Sequence, residues 1–154
     1  MENGLRARAA SDAKIGNRAD VEMKALGIDR ALISAVVDTF YARVLKHSEL
    51  GPVFEARLSG RWSEHTLKMK SFWSAVAFRD GAYDGKPVQA HLGVANLTSD
   101  LFPKWLELFA KTLDEVVTNE QAKAWFMASA ERIARSLTLS LFYNPAMDDP
   151  NPRS

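Results

Sequence analysis

Residues 101–116 read LFPKWLELFAKTLDEV. The apolar positions Leu101, Phe102, Trp105, Leu106, Leu108, Phe109, Leu113 and Val116 recur mostly at steps of one, three and four, the spacing of one helical face. The strict alternation of a half-buried strand is absent. Ser99 or Asp100 stands where a helix cap belongs, and Pro103 then falls in the first turn. A helix with such a face must bury it against other elements, so the neighbouring sequence decides the architecture.

The same period continues on both sides. Downstream, Thr118 and Gln121 form a capping-box pattern ahead of a last helix carrying Ala122, Trp125, Phe126, Ala130, Ile133, Leu137 and Leu141. Upstream, Asp29 is placed to cap a helix with Leu32, Val36, Val37, Phe40, Tyr41, Val44 and Leu45 on its inner face. Leu50-Gly51-Pro52 should break that helix, with Val53-Phe54 starting a short connecting segment. Ser63 is placed to cap the next helix, on which His65, Met69, Phe72, Trp73 and Val76 share a face. Residues 79–87, RDGAYDGKP, form a loop through two glycines and a proline. A short segment from Pro87 to Leu92 then carries His91, with Pro87 in its first turn. Two long helices early and two late, with no strand, predict an all-α fold packed helix on helix.

The 154 residues bound the chain to one domain, and 47% apolar content supplies a sizeable core. A net charge of +1 favours neither nucleic acid nor an anionic membrane as partner. No apolar run reaches the roughly 18–20 residues that span a bilayer, and no h-region follows the N-terminal arginines, so a cytoplasmic protein is expected. The absence of cysteine removes disulfides, thiolate zinc sites, iron–sulfur ligation and covalent c-type haem. Residues 1–27 hold no aromatic side chain and read as a weakly structured extension, with one short helix around Ala19–Leu26. The tail from Asn144, with three prolines, reads as disordered, leaving a domain over residues 28–143.

Three histidines carry the chemistry worth weighing: His47, His65 and His91. His91 follows a proline start, so one ring nitrogen can meet a metal while the other donates to the carbonyl near Pro87. The ordinary fate of a lone helical histidine is a surface or satisfied position. His65 shares a face with Met69, Phe72 and Trp73, where a buried imidazole needs a ligand or a hydrogen-bond partner. His47 at a helix end suits the helix dipole as a cation, a structural role. Tyr41 and Trp105 add polar tips to apolar faces, and with His65 they would aim three donors into one cavity. Lys68, one turn from His65, is within reach of a carboxylate at the mouth of such a cavity.

At these residues the sequence resembles the truncated haemoglobins, specifically their third group. The matching stretches are Phe40-Tyr41-Ala42-Arg43-Val44, Leu50-Gly51-Pro52-Val53-Phe54, Glu64-His65 leading into Phe72-Trp73, and Tyr83-Asp84-Gly85-Lys86-Pro87 leading to His91-Leu92. Phe102-Pro103-Lys104-Trp105-Leu106-Glu107-Leu108-Phe109 and Ile133-Ala134-Arg135-Ser136-Leu137 complete them. No Gly-Gly pair occurs, which fits the third group rather than the others. The resemblance implies a globin reduced to a two-over-two helical sandwich around haem b. It makes His91 the proximal iron ligand, with His65, Tyr41 and Trp105 as the distal histidine, tyrosine and tryptophan, and Phe54 packed on the haem edge. Met69, Phe72 and Trp73 would add apolar lining, and Lys68 would meet a carboxylate at the mouth. The implied partners are O2, NO and other small iron ligands, with a reductase if the chemistry is redox. Whether the protein is an enzyme stays open, and so does an alternative use as a haem-based sensor or interaction module built on residues 1–27.

Overall fold

A computed structural model describes residues 18–81 and 83–142. The helices are α1 at residues 18–26, α2 (Arg30–Lys46), α3 (Leu50–Leu58), α4 (Trp62–Phe78), α5 (Pro87–Leu92), α6 (Leu101–Val116) and α7 (Glu120–Phe142). No strand occurs among the described residues. Helix α2 packs on α4, α6 packs on α7, and the contact of α2 with α6 joins the two pairs. The readings of residues 1–17 as an extension and of residues 144–154 as a disordered tail lie outside the described residues.

The core forms where the inner faces meet. Ile33, Val36, Val37, Phe40 and Val44 of α2 pack with Trp73 and Ala77 of α4, Phe109 and Leu113 of α6, and Ala122 and Phe126 of α7. The helix expected around Ala19–Leu26 is present, and its Met23 lies buried in this same core beside Ile28. Ile33 takes the inner position at the start of α2, whereas Leu45, expected inside, is 48% exposed.

Helix ends depart most from the sequence reading. Asp29 does cap α2, its carboxylate accepting from the Leu32 N–H at 2.8 Å. Leu50-Gly51-Pro52, however, opens α3 instead of ending a helix, and the break falls at residues 47–49. His47 explains the difference. Its Nδ1 accepts from the backbone N–H groups of Glu49 and Leu50 at 3.1 and 3.0 Å, so it serves the start of α3 as an acceptor rather than the end of α2 as a cation. Gly51 permits the tight corner, since a Cβ there would stand 2.9 Å from the Leu45 carbonyl oxygen.

Ser63 lies inside α4 rather than capping it; Arg61 holds that position without a side-chain cap. Asp100 occupies the cap position of α6, yet its carboxylate turns to the Thr98 hydroxyl and to Lys104. At α7 the cap is Asn119, whose Oδ1 accepts from the N–H groups of Gln121 and Ala122, in place of the expected Thr118–Gln121 box. Short polar side chains compete for free N–H groups within one turn, so backbone direction chooses among them. Pro87 begins α5 as expected.

Candidate functional site

A cavity of about 660 Å³ lies between the two helix pairs, within the range of sites for small molecules and cofactors. All nine residues singled out from the sequence line it: Tyr41, Phe54, His65, Lys68, Met69, Phe72, Trp73, His91 and Trp105. They come from α2, α3, α4, α5 and α6, so no single segment holds the site.

His91 stands on α5, a helix with no buried residue. Its Nδ1 lies 2.6 Å from the Pro87 carbonyl oxygen. A carbonyl only accepts, so Nδ1 carries the proton, and in the neutral ring Nε2 keeps its lone pair. That is the tautomer a metal ligand needs. Among the described residues no group of three or more His, Cys, Asp or Glu side chains is placed to hold a metal ion.

His65 reaches in from α4. Its Nε2 is the one buried side-chain polar atom without a partner among the described residues. The residue also lines the cavity, and an unpartnered buried polar atom beside a cavity calls for an explanation, a ligand among them. Its ring meets Tyr41 edge-on, centroids 4.9 Å apart, and Phe54 at 6.4 Å. Burial, followed by the positive charges of His91 and Lys68, pushes its pKa down to about 4. Burial likewise raises the Tyr41 hydroxyl well above its usual range, keeping it protonated as a donor.

The shift makes a prediction for the cofactor-free protein. Between pH 4 and the ordinary histidine value near 6.5 the unfolded chain binds a proton at His65 that the folded chain refuses. His65 therefore contributes stability fully above pH 6.5 and loses it as the pH falls toward 4. Urea midpoints should drop across that window, and His65→Leu should flatten the drop. Parallel pH profiles for the two proteins would count against it.

Trp105 of α6 stacks on Phe109, centroids 5.6 Å apart and rings at 1°, and meets Phe40 edge-on at 5.5 Å. Trp73 stacks on the other side of this group, 5.4 Å from Phe109 at 12°. It touches the cavity but is 5% exposed and packs against Phe72, Phe109, Trp125 and Phe126. Lys68 stands exposed at the rim, its Nζ 3.9 Å from a Glu64 oxygen.

Sequence reasoning missed part of the wall. Ile133, Ala134 and Leu137 of α7 close the cavity, with Val94 and Leu97 from the loop after α5. Their spacing marks a buried face without saying what it faces. Trp62 also went unread, standing before the expected start of its helix. It stacks on Phe54 at 6.3 Å, lies 6.4 Å from Tyr41, and donates its indole N–H to Glu55 at 2.7 Å.

A scan against protein-family models finds no match. Among curated proteins, the group 3 truncated haemoglobin of Campylobacter jejuni is 32% identical over 115 residues, covering 73% of this chain and 90% of that protein. This chain is a group III truncated haemoglobin. The crystal structure of group III truncated haemoglobin from Campylobacter jejuni agrees, with a TM-score of 0.70 at 30% identity over 75% of this chain and 92% of that one. The helix pairs α2–α4 and α6–α7 are thus the two layers of the truncated-globin sandwich. As a truncated haemoglobin the protein binds haem and takes small diatomic ligands at the iron. The cavity suits that group: its walls are mainly apolar, one imidazole offers a lone pair, and a second polar nitrogen waits unpartnered. No helix among the described residues of this truncated haemoglobin is long and apolar enough to cross a membrane.

Proposed function

We propose that this protein holds haem b through His91 and uses Tyr41, His65 and Trp105 to bind a negatively polarised diatomic ligand, in redox chemistry on NO or peroxide rather than facile oxygen transport. The observation that carries the reading is the unpartnered buried Nε2 of His65, whose ring packs edge-on against Tyr41 in the wall of the cavity that His91 also lines. When bound, haem would be held by His91 and would supply an iron at which a diatomic ligand binds.

The chain's own residues do the rest. The Pro87 carbonyl holds the His91 ring in the ligating tautomer. Phe54, Met69 and Phe72 offer apolar surface to the porphyrin, with Lys68 at the rim for a carboxylate. Tyr41 and Trp105 are donors, and neutral His65 donates or accepts according to its tautomer. Donors held in a mostly apolar cavity act without reorganising, so they favour whichever ligand atom gains negative charge. The same hydrogen bonds slow release, which suits turnover more than transport. The absence of cysteine leaves the haem non-covalent, as in haem b, and fits a cytoplasmic setting. Sustained redox turnover draws electrons from a partner reductase.

The test measures NO consumption by the ferrous protein in air, and peroxide consumption by the ferric protein, in Tyr41→Phe and Trp105→Phe. Losing one hydrogen bond to a developing charge should slow the relevant reaction by roughly 10- to 1,000-fold. Turnover at the wild-type rate in both variants would remove the distal donors from the chemistry.

A further inference from the structure

We infer that Tyr83, seated on Gly85, is a positioning residue for His91: the packed loop sets where α5 begins, and through it where the imidazole stands in the cavity. The inference rests on the reading of His91 as the iron ligand.

Gly85 seats the Tyr83 ring directly against its backbone. It is not among the glycines with positive φ, which are Gly27, Gly60 and Gly81, so its backbone conformation does not demand glycine. A Cβ added at Gly85 would collide with the Tyr83 hydroxyl and Cζ, and would stand 2.7 Å from Cε2. The Tyr83 ring is therefore folded back onto the Gly85 backbone. The same ring packs edge-on against Phe72, centroids 5.1 Å apart at 84°. Phe72 belongs to α4, the helix that carries His65.

This contact matters because α5 has little else to fix it. None of its six residues is buried, and its packing is chiefly on α7. Tyr83 supplies a further anchor, to α4 through Phe72. From Gly85 the path to the imidazole is short and bonded. Pro87 follows two residues later, and its carbonyl accepts from His91 Nδ1 at 2.6 Å. A shift of Gly85 therefore moves the carbonyl that orients the ligating ring. Sequence alone places Tyr83 in a glycine-containing loop and in a stretch shared with the family, without assigning it a contact.

The experiment compares haem-loaded wild type, Gly85→Ala, Tyr83→Ala, the double variant and Tyr83→Phe. Two readouts are taken: haem loss to an excess of apomyoglobin, and the iron–histidine stretching band of the ferrous protein by resonance Raman. Gly85→Ala and Tyr83→Ala should each speed haem loss on the order of tenfold, the effect of disturbing a ligand's hydrogen-bonded support, and should shift the band. The double variant should be no worse than either single one, because the ring that the new Cβ would strike is already gone. Tyr83→Phe keeps the ring on Phe72 and should stay near wild type. Additive losses in the double variant, or an unshifted band with normal haem retention in Gly85→Ala, overturn the inference. If Tyr83→Ala does not fold, Gly85→Ala alone still decides. A band that survives His91→Gly removes the ligand reading instead, so the two failures are distinguishable.

Discussion

His91→Gly should leave a folded protein that does not retain haem. Disturbing a partner of a metal ligand costs roughly 10- to 100-fold in affinity, so losing the ligand itself should cost more than about 100-fold. Two features make the loss hard to repair. Among the described residues no cluster of three metal-ligating side chains is available to take over. His65, the other imidazole lining the cavity, stands on α4, whereas His91 stands on α5. The check is the Soret band of protein expressed with haem supply, together with the rate of haem transfer to apomyoglobin. Free imidazole should restore the band, because the removed side chain leaves a space of matching chemistry. Wild-type retention in His91→Gly would refute the assignment. Loss in His65→Gly without loss in His91→Gly would exchange the two roles. The fold should tolerate the change, since α5 buries no residue. Amide exchange at residues 88–92 should be fast without haem and slow with it.

Tyr41→Phe should release dioxygen faster by roughly 10- to 150-fold. A hydrogen bond to a charged or strongly polarised acceptor contributes about 1.5–3 kcal/mol, and 1.4 kcal/mol is a factor of ten. The substitution removes only the hydroxyl. The ring contacts to Phe40 at 5.1 Å, Phe54 at 6.0 Å and His65 at 4.9 Å remain, so the cavity keeps its shape. Carbon monoxide provides the internal control, because it gains far less negative charge when bound. Its release should change little. Equal acceleration of both gases, measured by ligand replacement in a stopped-flow instrument, would mean that Tyr41 acts by bulk and not as a donor.

The legibility of the site differs from residue to residue. His91 was readable because its surroundings are local: a proline start, one turn of helix, and a carbonyl four residues back all lie within α5. His65 was readable as a histidine on an apolar face, but its orphaned Nε2 was not. The rings packed against it, Tyr41 and Phe54, come from α2 and α3, distant in sequence. Trp73 shows the converse. Its place on the face with His65 was right, yet α7 surrounds most of it with Trp125 and Phe126 and draws it into the core. His47 was misjudged for the same reason, because the N–H groups it accepts belong to the next helix.

What this sequence determined by itself is the long helices and most of their inner faces; α3 read as a connecting segment, and Leu45 as an inner residue. Apolar spacing is a property of consecutive residues, and the 3.6-residue turn converts it into a face without reference to the rest of the chain. Only the tertiary structure decided where helices start, which of several small polar side chains caps them, and what the inner faces enclose. Those outcomes depend on groups brought together from distant segments. The Gly51 corner beneath α2, the ring of Tyr83 between Gly85 and Phe72, and Ile133 and Leu137 closing the cavity from α7 are all of that kind.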